Sequence, residues 1–199
     1  MASVSDVAFW ETLYERGGDG WELGGPAPPL VSYLDATPPP AGRVAVPGCG
    51  RGHDVRLLAR RGYEPVGFDF APAAVAAARA LAAAEHVPAR FEQRDVFSLA
   101  DEHAAAFDGV WEYTCFCAID PARRAEYVSV LAAIVKSGGW LLACFYPMGA
   151  TGGGPPFGVR EDEVSRLLAP AFRIERAAPP ARSSPRRQGQ EWMVLAVAC

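Results

Sequence analysis

Lysine is almost missing from this chain: of its 19 basic side chains, only Lys136 is a lysine. Alongside abundant alanine, glycine, proline and arginine, that scarcity reads as a coding bias and carries no functional weight. An excess of positive charge is missing too, because 23 acidic side chains outnumber the basic ones and leave a net charge of −4. Without a positive field, neither nucleic acid nor an anionic membrane surface is an expected partner. No stretch approaches the ~20 uninterrupted apolar residues of a membrane span, and Met1 to Asp6 carry no basic signal segment. A soluble, cytoplasmic protein is expected. Its five cysteines (Cys49, Cys115, Cys117, Cys144 and Cys199) are odd in number and scattered, which excludes a disulfide framework. Cys115 and Cys117 form C-x-C, but no second Cys/His pair stands at zinc spacing and His53, His86 and His103 are isolated, so no metal is expected. Nor does any Ser/His/Asp or Cys/His arrangement fall on a recognisable motif spacing.

What is present is a single domain's worth of core. At 199 residues, 50% hydrophobic and 21% charged, the chain should fold as one unit rather than remain disordered. After an aromatic-rich, Gly/Pro-punctuated opening (residues 1–42), apolar runs alternate with Ala/Arg/Leu-rich helical stretches. The alternation predicts βαβ units and a mainly parallel sheet with helices on both faces. Seven strands are expected at 43–47, 64–70, 89–95, 107–114, 140–146, 172–177 and 191–198, and helices at 54–61, 72–85, 121–135 and 160–168. Ser137-Gly138-Gly139 should break the chain before the fifth strand, and Pro179 to Gln190 should form a long mobile loop. The last two strands, with no long helix between them, suggest a hairpin-like pair with one antiparallel member.

The segment Val44-Ala45-Val46-Pro47-Gly48-Cys49-Gly50-Arg51-Gly52-His53-Asp54 is an apolar strand running through glycines into a helix. Missing Cβ atoms let the backbone approach a ligand, and the helix N-terminus adds N–H donors, so a nucleotide-like ligand is expected there. Asp69 closes the second strand, where a carboxylate can accept both hydroxyls of a ribose. At the end of the third strand, Asp95 and Val96 pair an acid with an apolar group, suited to an adenine. The dinucleotide fingerprint needs G-x-G-x-x-G, whereas Gly48, Gly50 and Gly52 make G-x-G-x-G, which disfavours a nicotinamide cofactor.

This spacing resembles the cofactor site of class I S-adenosylmethionine-dependent methyltransferases. The resemblance narrows with Phe9-Trp10-Glu11, Gly20-Trp21-Glu22-Leu23-Gly24-Gly25-Pro26-Ala27-Pro28-Pro29, the glycine loop, Gly153-Gly154-Pro155-Pro156-Phe157 with Val159, and Arg187-x-Gly189-x-Glu191. Together they are similar to the thiopurine S-methyltransferase superfamily, most of all its thiol, halide and thiocyanate branch. The resemblance implies a Rossmann-like core (43–199) under an N-terminal lid (1–42), with S-adenosyl-L-methionine as cofactor and S-adenosyl-L-homocysteine as product. It places Trp10, Trp21, Gly48, Gly50, Asp69, Asp95, Val96 and Tyr113 at the cofactor. Glu112 and Tyr113, at the end of strand four, sit where such enzymes meet cofactor and acceptor, as positioning groups with no dedicated base required. Tyr14 stands where the plant enzymes have another tryptophan, which bears on acceptor preference. The acceptor pocket is expected to be lined by Tyr14 of the lid, by Tyr113 to Cys117, by Tyr146 to Phe157 and by Arg187, the last attracting an anion.

The implied reaction is methyl transfer to a small soft nucleophile (a thiol, hydrosulfide, thiocyanate or halide) by a monomer or weak dimer. Two alternatives stand beside it: methylation of a heteroaromatic thiol or of an oxygen or nitrogen atom in a natural product, and binding of the cofactor without turnover by a regulatory protein.

Overall fold

The computed structural model describes residues 3–16, 20–149 and 152–199. Helices α1 (Val7–Glu15) and α2 (Pro28–Ala36) precede strand β1 (Arg43–Pro47), and then α3 (His53–Arg60), β2 (Glu64–Asp69), α4 (Pro72–Ala84) and β3 (Arg90–Gln93) follow. The second half runs α5 (Leu99–Glu102), β4 (Phe107–Tyr113), α6 (Arg124–Ile134), β5 (Val135–Phe145), α7 (Glu161–Leu168), β6 (Phe172–Ala178) and β7 (Trp192–Ala198). The strands form one sheet in the order β3-β2-β1-β4-β5-β7-β6. All neighbours through β5 are parallel, and β7 runs antiparallel to both β5 and β6. The seven-stranded, mostly parallel sheet expected from the sequence is therefore the one observed.

The central strands are apolar on both faces because helices cover both. Val44 to Val46 of β1 and Pro65 to Asp69 of β2 are all buried, the pattern of a parallel sheet rather than of a half-exposed one. Phe68, Phe107, Tyr127 and Leu141 fill one side; Val44, Leu58, Trp111 and Leu142 fill the other. From β1 the chain builds outward to β3, then returns to place β4 on the other flank of β1. That reversal opens a crevice at the carboxyl ends of β1 and β4, where ligands of doubly wound sheets bind.

Four boundaries differ from the sequence reading. Helix α2 falls in the Gly/Pro-punctuated opening, where no helix is expected from the sequence: Pro28 and Pro29 occupy its first turn, where a missing N–H costs nothing, and Leu30 and Leu34 are buried against the sheet. The helix expected from Pro121 is a 3₁₀ turn, Pro121–Arg123, before α6, because the Asp120 carboxylate caps the Ala122 N–H at 2.9 Å. Strand β5 begins at Val135, and Ser137-Gly138-Gly139 makes a bulge in it rather than a break: pairing jumps from Phe107–Val135 to Gly109–Trp140. The stretch 179–190 is folded back on the sheet end: Met148 N donates to Gln190 O at 2.9 Å, and Arg187 is only 4% exposed.

Candidate functional site

Where β1 ends, the chain turns through Gly48 at φ +60°. A Cβ there would lie 2.8 Å from the Cys115 Cβ, so only glycine lets this loop lie flat against the segment that follows β4. Gly52 serves packing instead: its Cβ would meet the Phe91 ring at 2.4 Å, so its small size seats the start of α3 on β3. Between them, Gly50 donates its N–H to Asp69 Oδ2 at 2.9 Å, and Ala71 N donates to Oδ1 at 3.0 Å. Asp69 thus ties the glycine loop to the β2 turn. Burial pushes its carboxyl up, against the pull of those N–H groups. Two carboxylate oxygens offer about four lone-pair sites, so acceptor capacity remains beyond the backbone N–H groups.

Above this floor lies a cavity of about 600 Å³. Helix α1 roofs it: Trp10, 9% exposed, packs on Ala71 and Ala74, and Glu11 Oε1 accepts the Ala73 N–H at 3.1 Å. The Trp21 ring meets Trp10 and Tyr14 edge-on, each with centroids 5.5 Å apart. Asp95 accepts the Phe97 N–H at 3.0 Å and begins the 3₁₀ turn Val96–Ser98, which sets Val96 and Phe97 in the wall. Arg123 closes that side, its guanidinium 3.4 Å over the Phe97 centroid and held by Glu126 at 2.9 and 2.8 Å.

Across the cavity stands Arg187. Its guanidinium lies over the Tyr113 ring at 5.0 Å and the Tyr146 ring at 4.6 Å, and Nη2 donates to the Trp21 carbonyl at 2.9 Å. Among the described residues no carboxylate stands within ion-pair distance of it, and Nη1 is buried without a hydrogen-bond partner. Asp54, buried behind it, is occupied by Ala27 N and Trp111 Nε1, both at 2.7 Å. Tyr113 Oη donates to Glu191 Oε1 at 2.6 Å.

The structure gathers most, not all, of the residues singled out from sequence. Trp10, Trp21, Gly48, Asp69, Asp95 and Val96 line the cavity, as do Tyr14, Cys117, Tyr146 and Arg187. Gly50 and Tyr113 border a recess of about 70 Å³ that shares Trp21, Gly48 and Thr114 with the cavity. Glu112 is not at the cavity. It faces the opposite side of β4 from Trp111 and Tyr113, accepts Phe116 N at 2.9 Å and the Tyr127 hydroxyl at 2.5 Å, and is 1% exposed, a buried support for α6. Phe157 also misses it, its ring folded against Gly154 while Pro155 and Pro156 form the wall. Residues 150 and 151 of the expected wall stretch 146–157, like residues 1 and 2, lie outside the described residues. His103, read as a surface group, tilts its ring against Phe68 and Phe107 at 5.1 and 5.7 Å.

Sequence reasoning missed Leu13, Ile119 and Arg123 in the wall. Thr114, within the expected stretch 113–117, carries a visible strain, a β-branched residue at φ +65°.

An adenosyl sulfonium fits these residues. The Gly48 turn removes the one Cβ that would crowd the β4 end, Asp69 and Asp95 offer acceptors for hydroxyl and amino groups, and three aromatic rings face the interior to balance a cation. Among the described residues no group of three His, Cys, Asp or Glu side chains is placed to hold a metal ion, and no helix is long and apolar enough to cross a membrane.

Comparison with known proteins agrees with this geometry. Residues 5–198 match the family described as Thiopurine S-methyltransferase. A probable thiol methyltransferase 2 of Arabidopsis thaliana is 33% identical over 174 residues, covering 85% of this chain and 75% of the relative. Thiocyanate methyltransferase 1 of the same plant is 32% identical over 187 residues, covering 92% and 81%. Among solved structures, the Burkholderia thailandensis 1,6-didemethyltoxoflavin-N1-methyltransferase, with bound substrate and S-adenosylhomocysteine, superposes with a TM-score of 0.74 at 21% identity, covering 96% of this chain and 86% of that one.

Proposed function

Since the chain belongs to the thiopurine S-methyltransferase family and is an S-adenosylmethionine-dependent S-methyltransferase, we propose that its acceptor is a small soft nucleophile that arrives as an anion: thiolate, hydrosulfide, thiocyanate or halide. Arg187 carries this reading. A guanidinium buried against two tyrosine rings, with no carboxylate of the described residues within ion-pair distance, is a fixed positive charge in the cavity wall. Burying such a charge is costly unless something compensates it, and an anionic acceptor does so.

Asp69 and Asp95 would hold the adenosine, the Gly48 turn would admit the sulfur end, and Trp10, Tyr14 and Trp21 would cover the cation. When bound, the cofactor supplies a methyl group on positively charged sulfur, already activated for in-line displacement. The chain's own task is alignment and exclusion of water. Arg187 draws the anion out of solvent to a defined place, while the α1 roof and the apolar wall strip its hydration shell. An acceptor that enters deprotonated leaves no proton to remove, which agrees with a cavity holding no histidine.

The test is an acceptor panel (iodide, thiocyanate, hydrosulfide, an aromatic thiol and a thiopurine) run on the wild type and Arg187→Met, with kcat/KM read for each. The expected result is methylation of one or more soft anions and a KM for them at least tenfold higher in the variant, with S-adenosylhomocysteine affinity changed less than twofold. Equal KM values in the two proteins would remove Arg187 from the acceptor site. Cofactor binding with no acceptor methylated would turn the reading to a non-catalytic binder.

A further inference from the structure

Trp21 touches the roof, the recess and the acceptor-side cation together. Its ring packs on Trp10 and Tyr14, and its carbonyl is the only hydrogen-bond acceptor found for the Arg187 guanidinium among the described residues. Whatever fixes the Trp21 backbone therefore fixes the place of that charge. The next residue, Glu22, is built for this. Its Oε1 accepts the Gly24 N–H at 2.7 Å and lies 2.9 Å from His53 Nε2, and its Oε2 lies 3.4 Å from Arg51 Nη1.

The His53 ring is oriented by Arg56, whose Nη2 stands 2.9 Å from His53 Nδ1. A guanidinium can only donate, so Nδ1 accepts and Nε2 carries the proton that points at Glu22. Arg56 itself is 3% exposed and anchored to the Arg51 carbonyl at 2.7 Å and to Glu85 at 2.8 Å. Glu22 is thus pinned to a rigid post at the start of α3.

We propose that Glu22 is a positioning residue for methyl transfer: by clamping the strap 21–25 to the start of α3, it holds the Trp21 carbonyl where it fixes the Arg187 guanidinium in the cavity wall. The proposal rests on the reading of Arg187 as the group that receives the acceptor. It assigns Glu22 to the acceptor side rather than to the cofactor, for a structural reason. The glycine loop keeps its own anchors without Glu22: Cys49 N to Phe68 O at 2.9 Å, Gly50 N to Asp69 Oδ2 at 2.9 Å, Gly52 N to Cys49 O at 2.9 Å, and Arg56 to the Arg51 carbonyl. Beyond Glu22, the backbone of the strap is tied among the described residues through the Trp21 carbonyl itself and, past its end, through Ala27 N to Asp54, while the Trp21 ring rests on Trp10 and Tyr14.

Two variants and two readouts test this. Glu22→Ala should raise the acceptor KM five- to twentyfold with S-adenosylhomocysteine affinity changed less than twofold. Glu22→Gln keeps an acceptor oxygen for the Gly24 and His53 N–H groups and should recover more than half of that loss on a logarithmic scale. Hydrogen exchange read by mass spectrometry on the full chain, without acceptor, should show faster exchange in Glu22→Ala at residues 21–25 and also at 184–190, because a released Trp21 carbonyl frees Arg187. Faster exchange at 21–25 with 184–190 unchanged would overturn the proposal. So would a parallel loss of cofactor affinity, which would place the action of Glu22 in the glycine loop. If the wild type methylates no acceptor, the assigned acceptor chemistry fails, while the exchange experiment still decides whether Glu22 holds Arg187.

Discussion

Glu112 offers a prediction whose sign runs against intuition: Glu112→Gln should make the protein more stable at alkaline pH. The carboxyl is fully buried on the α6 side of β4, and that burial pushes it from 4.5 up to about 7, against the opposing hydrogen bonds from Phe116 N and Tyr127. A carboxyl raised in the folded state holds a proton there at pH values where the unfolded chain has lost it. Its contribution is therefore complete below pH 4.5 and is lost as pH rises through about 7. Integrating the linkage relation between those two values gives a loss of about 2–3 kcal/mol between pH 5 and pH 8 from this one group. Glutamine mimics the protonated acid, since its oxygen accepts from Phe116 N and its amide donates to the Tyr127 oxygen, so the two proteins should match near pH 5. Urea unfolding of both at pH 5 and pH 8 isolates the term, because Asp54 and Asp69, also raised by burial, contribute equally to each. The wild type should fall by about 2–3 kcal/mol more than the variant. Parallel pH profiles would refute the reasoning and show Glu112 ionised and fully compensated in the folded state.

Other substitutions probe the floor of the cavity. Asp69→Ala should weaken S-adenosylhomocysteine binding by about 1–3 kcal/mol, through loss of a charge-assisted acceptor and of the tie that Gly50 N makes to it; calorimetry showing unchanged affinity would discredit the ribose assignment. Gly48→Ala should cost about 1–3 kcal/mol of folding stability, because alanine at φ +60° is strained and its Cβ would sit 2.8 Å from that of Cys115. Cofactor affinity should drop with it, and a variant as stable as the wild type by urea unfolding would contradict the close approach.

Much of the site was legible because its chemistry coincides with backbone demands that leave marks in sequence. A turn at φ +60° against Cys115 requires glycine, and an acid closing an apolar strand is conspicuous, so Gly48 and Asp69 stood out. Glu112 and Tyr113 are consecutive and equally conspicuous, yet alternation along β4 sends them to opposite faces. Which face opens on the cavity depends on where α6 packs, a tertiary fact absent from local sequence. Arg187 was half readable: its motif marked it, but only the fold shows that it leaves the arginine-rich run for a slot between two tyrosine rings. Helix α2 was hidden because Pro28 and Pro29 do not announce a helix locally and serve as its first turn only once Leu30 and Leu34 have a sheet to pack on. Ile119 and Arg123 reach the cavity from the turns after β4, and turn residues carry no periodicity to betray the direction they face.

The walls also contain sulfur that must not compete with the acceptor. Cys115 and Cys117 both line the cavity. Thiolate, not thiol, is the nucleophile. Burial first, and the nearby Glu112 second, pushes Cys117 up to about 12 and Cys115 well above its ordinary value, so at neutral pH both stay protonated and inert. Arg187 works in the other direction, stabilising negative charge on whatever approaches it. Under the proposed function the same cavity would hold sulfur in two electrostatic conditions, kept neutral where it belongs to the chain and favoured as an anion where it arrives from solvent. On that reading a site that selects its nucleophile by local charge would need no general base to make that choice, in keeping with a cavity lined by rings and thiols and, among the described residues, by no histidine.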